Sequence, residues 1–152
     1  MRGERHGSPP SAGRIVGQVL AWAAVWALWI IVSRNNHPTL RLNVLASFLL
    51  MLTFAAAVYA NHLLLIPRLW SRRRFAAYAA SLLGVMGLLA LACTAAIHLA
   101  YDGLWGPDPA RFGFLTNLGM ESGLVAFHVL AAAVVLGITR RLHATRRAES
   151  GR

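Results

Sequence analysis

The sequence predicts an all-α integral membrane protein: a four-helix bundle with both ends on the cytoplasmic face. Three observations lead there. The 152 residues are 57% hydrophobic and only 13% charged, whereas a soluble domain carries about 25% charged residues. The apolar residues fall into four blocks, each near the length of about 20 residues that spans a bilayer core of about 30 Å. The basic residues are distributed unevenly between the segments that separate those blocks.

Taken in order, residues 1–14 are basic and rich in Gly, Ser and Pro, with Pro9 and Pro10 opposing helix. They read as a flexible tail. The first apolar block, residues 15–32, has Gln18 as its only strongly polar member. It is longer than a signal-peptide core and reads as an uncleaved span. A polar turn comes next, at Arg34, Asn35, Asn36, His37 and Pro38. The second span is expected over residues 42–66, stopping at Pro67, which would lose a helical hydrogen bond. Arg72, Arg73 and Arg74 open the third span, residues 75–99, and a longer external segment reaches Asn117. The fourth span covers residues 118–139, and residues 140–152 read as a basic cytoplasmic tail too short to fold alone.

Counting arginines near the span ends sets the orientation. Twelve lie in the first tail, the 68–74 turn and the last tail, against three at Arg34, Arg41 and Arg111. The first set therefore faces the cytoplasm, with anionic lipid headgroups as its partners. The formal charge of +10 is spread between apolar blocks and not over one face, so nucleic acid is not an expected partner. The single cysteine, Cys93, lies inside the third block, which excludes an internal disulfide or a cysteine-based metal site.

The residues suited to chemistry are few. Six histidines invite a haem or metal reading, but His62, His98 and His128 lie at different depths when counted along their spans. No cofactor or metal is expected, and each reads as an interfacial or bundle histidine. Glu121 lies at the outer boundary, with two readings: an interfacial carboxylate meeting water, or a sensing group paired with Arg41, Arg111 or His98. The outer segment supplies Asp102, Trp105 and Asp108 as further candidates for an input region, Trp105 being the best exposed contact. Gly119 and Gly123 flank Glu121 as a G-x-x-x-G, and Ala80 with Gly84 forms a similar small-residue face, so both are expected at helix-packing surfaces and in a homodimer. Trp22, Trp26 and Trp29 form a stripe read as packing, with Trp29 near the outer interface. No hydrolase or phosphate-loop motif is present, and with five acidic residues an enzyme is not expected.

Tyr59, Asn61, His62, Leu65, Ile66, Pro67 and Arg68, then Arg72, Arg73, Arg74, Phe75 and Tyr78, form a segment with a recognisable pattern. It resembles the membrane region of bacterial sensor histidine kinases that work with LytTR-type response regulators, the class of autolysin and alginate regulators. In that family a Tyr-x-Asn-aromatic segment leads to Leu-Ile-Pro-Arg, a basic turn and an aromatic residue opening the next span. Here His62 replaces the aromatic. The close match covers about twenty residues, and the four-span layout covers most of the chain. The resemblance implies a signalling module of the bacterial cytoplasmic membrane, with a separate kinase or response regulator as partner. Family kinase residues have no counterpart here, because about a dozen residues come after Thr139. The alternatives are a truncated, inactive kinase product, and a small transporter or redox subunit. The latter calls for ionisable groups at mid-depth, where only His128 falls.

Overall fold

The computed structural model describes residues 12–106 and 111–150. Within them the chain is all-α, a bundle of four long helices with no strand. The first helix, α1, covers Ala12–Val32, a run of Ala, Val, Leu, Ile and Trp without proline. Its end is marked by Ser33, whose Oγ lies 2.6 Å from the Trp29 carbonyl oxygen. A 3₁₀ turn at Arg34–Asn36 comes next. His37 is extended (φ −127°, ψ 138°), as the ring of the adjoining Pro38 requires.

The second helix, α2, covers Leu40–Tyr59 and is capped by Thr39, whose side chain accepts from the Leu42 N–H. The chain does not stop at Pro67. It passes from α2 into a π-helix over Ala60–Trp70, with Pro67 inside. This corrects the expected end at residue 66. A proline ring clashes with the carbonyl four residues back in an α-helix, and the wider i→i+5 turn relieves that clash. The π pattern closes with Ser71 N–H donating to Ile66 O at 3.0 Å and Arg74 N–H to Leu69 O at 3.0 Å. Arg73 then takes a left-handed conformation (φ 57°) that reverses the chain.

Helix α3 covers Phe75–Leu104, five residues beyond the expected end, and finishes at Gly106, whose φ of 96° suits glycine alone. Helix α4 covers Phe114–Ser150. It begins four residues before the expected start and runs on past Thr139. Residues 140–150, expected as a separate tail, thus continue the last span as helix.

Four helical segments are long and apolar enough to cross a membrane: Ile15–Val32, Leu40–Trp70, Phe75–Leu104 and Phe114–Thr139. Their outward faces are apolar, with Leu20, Leu83, Leu88 and Phe127 exposed. Helix α2 is the central element, packing on α1, α3 and α4, while α1 packs chiefly on α2. The stripe Leu42, Ala46, Leu50, Phe54 and Ala57 meets Cys93, Ile97 and Tyr101 of α3 and Val125 and Val129 of α4. Ala46, Ala57 and Ala90 are buried in the bundle, where small residues allow backbones to approach. Ala80, Gly84, Gly119 and Gly123 lie instead on the outside. A Cβ added at Gly84, Gly119 or Gly123 would meet nothing within 4 Å, so these faces receive no helix from the described residues.

Candidate functional site: a polar cleft at one end of the bundle

At the end opposite the 68–74 turn, all four helices contribute to a cleft of about 460 Å³. Its floor is apolar, with Leu50, Ile97 and Leu124, and its polar groups include His37, Tyr101, Arg111, Asn117 and Glu121.

Helix α3 brings Tyr101 into the cleft because it runs past residue 99. Tyr101 is buried, and its hydroxyl is hydrogen-bonded to His37 Nδ1. Pro38 fixes the extended backbone that presents His37 to it. Burial lowers the His37 pKa below its ordinary value of 6.5, because a charged imidazolium loses hydration there. The Arg111 guanidinium stands 5.4 Å from the centre of the Tyr101 ring, a cation–π distance. Its Nη2 pairs with Asp102 Oδ1 at 3.0 Å. Its Nη1 is buried and has no hydrogen-bond partner among the described residues.

The first turns of α4 supply the remaining groups. Asn117 Nδ2 lies 3.0 Å from His98 Nε2 and 3.3 Å from Phe112 O, so a donated amide hydrogen places the His98 proton on Nδ1. Glu121, expected as an interfacial carboxylate meeting water, is instead 8% exposed. The reason is its register. Glu121, Val125 and Val129 share the α4 stripe that faces the core. Glu121 Oε2 accepts from Thr94 Oγ1 at 2.6 Å, and the Cys93 thiol is a neighbour. It forms no ion pair with Arg41, Arg111 or His98; the cation of the cleft goes to Asp102.

Of the other outer candidates, Trp105 is 52% exposed just beyond α3. Asp102 is exposed and ion-paired. Asp108 lies outside the described residues.

Beside the cleft, a buried polar cluster joins α1 to α2, and sequence reasoning missed it. Asn43 Nδ2 donates to Ile30 O at 2.8 Å. Asn43 Oδ1 lies 2.7 Å from Ser33 Oγ and 3.2 Å from Ser47 Oγ. The available signal was Asn43 and Ser47, four residues apart within an apolar run, which places both on one helix face.

The residues that carry the family resemblance meet at the other end. Tyr59 Oη accepts from Trp22 Nε1 at 3.1 Å, and Asn61 Oδ1 accepts from the Tyr78 hydroxyl at 2.8 Å. Trp70 packs edge-on against Phe75 and Tyr78 at 4.9 and 5.2 Å. Pro67, Arg68, Arg72, Arg73 and Arg74 are exposed. Midway between the ends, His128 stacks on Phe54 at 3.8 Å, with Trp29 beside both rings. Among the described residues no three His, Cys, Asp or Glu side chains converge as a metal ligand set.

Comparisons with known protein families, curated proteins and solved structures return no match.

Proposed function

We propose that the chain is a multi-pass membrane signal-input module of the bacterial cytoplasmic membrane, with the cleft outside and both ends inside. It receives a stimulus at the cleft and passes it to a separate histidine kinase or response regulator through the cytoplasmic end of α4. The observation that carries this reading is the continuity of α4. One uninterrupted helix of 37 residues holds Asn117 and Glu121 in the cleft and runs on to Ser150. A change in how Glu121 is held at one end is thereby a change in the position of the other. The arginine asymmetry supports the orientation, and the Tyr59 to Tyr78 segment supports the signalling class. The small-residue faces at Gly84 and at Gly119 with Gly123 support a homodimer, because they lie on the outside where a second copy can reach them.

The test joins residue 150 in helical register to the dimerisation and ATP-binding core of a histidine kinase, and monitors autophosphorylation in proteoliposomes. Glu121→Ala is expected to change the rate by about fivefold or more, the lower end of allosteric couplings. Two residues inserted after Thr139 rotate the remainder of α4 by about 200° and are expected to abolish or reverse that response. Equal rates in the parent, the variant and the insertion would remove the signalling reading.

A further inference from the structure

Two groups in the cleft are incompletely matched among the described residues, and they have opposite character. Arg111 is held by Asp102 through Nη2, but its Nη1 is buried with no acceptor among the described residues. Buried guanidinium N–H groups are almost always bonded, because leaving one unmade forfeits its hydration with no return. Glu121 is buried and accepts from a neutral hydroxyl, Thr94, with a neutral thiol, Cys93, beside it. No cation among the described residues pairs with it, and a buried carboxyl stays ionised only where charge or hydrogen bonds compensate it. Both residues line the same cleft of about 460 Å³. Between them the floor is apolar, at Leu50, Ile97 and Leu124.

We infer that the cleft binds a zwitterion: a small molecule or headgroup with one anionic group for Arg111, one cationic group for Glu121, and an apolar portion over the floor. A free carboxylate would satisfy Arg111 and leave Glu121 unmatched. A simple amine would do the reverse. Only a ligand carrying both charges completes both sites, and the pairs it forms there offset the cost of removing its two charges from water. Two sources share this chemistry: free amino acids in water and the headgroup of phosphatidylethanolamine. This deepens the signal-input reading by naming the class of input, but binding is measured on the purified chain. A failure of binding is thus distinct from a failure of signalling in the kinase fusion.

The experiment reads thermal stabilisation and equilibrium binding of the full chain in nanodiscs of phosphatidylglycerol alone. The probes are the common α-amino acids and 6-aminohexanoate. Each is set against single-charge analogues: 4-methylpentanoate and 3-methylbutylamine for L-leucine, hexanoate and hexylamine for 6-aminohexanoate. A parallel series replaces part of the phosphatidylglycerol with phosphatidylethanolamine. At least one zwitterion is expected to bind about tenfold or more tightly than either of its single-charge analogues, the range of a charge-assisted hydrogen bond. Arg111→Gln and Glu121→Gln should each erase that advantage, and each variant's unliganded melting temperature reports whether it still folds. Should both variants unfold, the comparison of zwitterion with its analogues in the parent protein decides alone. Stabilisation by soluble amino acids identifies a solute ligand. Stabilisation only by phosphatidylethanolamine, lost in both variants, identifies the headgroup. Binding of a carboxylate or an amine as tight as that of every zwitterion, or no response to any probe or to the lipid, would overturn the inference.

Discussion

The cleft end and the turn end of this bundle are held together in opposite ways. At the cleft, side chains cross between helices: Ser33 and Asn43 join α1 to α2, Tyr101 and His37 join α3 to the first connection, and Thr94 and Glu121 join α3 to α4. Most of these groups are buried. At the turn, the chain is closed by backbone bonds of the π-helix and by a left-handed residue, while its arginines point to solvent. Among the described residues, two side-chain bonds cross between helices there, Tyr78 to Asn61 and Trp22 to Tyr59. A site held by side chains can be retuned by a ligand or a proton, because each link is a separate bond. A turn held by backbone bonds depends little on the exposed side chains around it. In the proposed signal-input module, the difference puts the adjustable links at one end and a backbone-held turn at the other.

The largest effect that would sharpen this contrast is expected from Asn43→Leu. It removes the amide that bonds Ile30, Ser33 and Ser47, and should lower stability in a denaturing-detergent titration by about 1–2 kcal/mol, near the upper range for bonds between membrane helices. The matching change at the other end, Asn61→Leu, breaks one bond to Tyr78 and should cost about 0.6 kcal/mol. Equal losses would break the contrast. A second, smaller effect comes from acid. Burial lowers the His37 pKa from 6.5, so between that value and the lower folded one the unfolded chain holds the proton that the folded chain lacks. Stability should therefore be intact above 6.5, fall as pH drops below it, and level off below the folded value. His37→Gln, still able to bond Tyr101, should flatten that part of the stability profile. The smallest effect is expected from Arg72→Gln with Arg74→Gln, which should stay within about 0.5 kcal/mol of the parent, because both side chains are exposed. A larger loss would show that the turn depends on its charges.

The four helices were legible because length and hydropathy are local properties, and a segment crossing lipid has to satisfy its own backbone within a helix. Boundaries were less so. Pro67 announces a helix stop by its chemistry, yet the π pattern that accommodates it depends on residues on either side and on α3 packed against it. Position along the fourth span places Glu121 at the outer boundary but carries nothing about rotation about the helix axis. The periodicity of Glu121, Val125 and Val129 held the missing information, since it sets the carboxylate on the core face. The pairing of Tyr101 with His37 joins residues 64 apart in sequence, and nothing local reveals it. Trp22 and Trp26, read as packing, do pack on α2 beside Tyr59 and Phe48.

The unequal lengths of the spans bear on where a ligand would come from. The apolar run of α1 is 18 residues, about 27 Å of helix, which fits a hydrocarbon core of about 30 Å with little tilt. Helix α3 has 30 residues, about 45 Å, and an average tilt of about 20° absorbs only a small part of that excess. Its last turn carries Tyr101 and Asp102, polar groups that in a membrane belong at the interface and not in the hydrocarbon. In the proposed orientation the mouth of the cleft then stands in the headgroup layer, wetted from outside. A molecule reaching Arg111 would arrive through water or along the membrane surface, without first dissolving among the acyl chains.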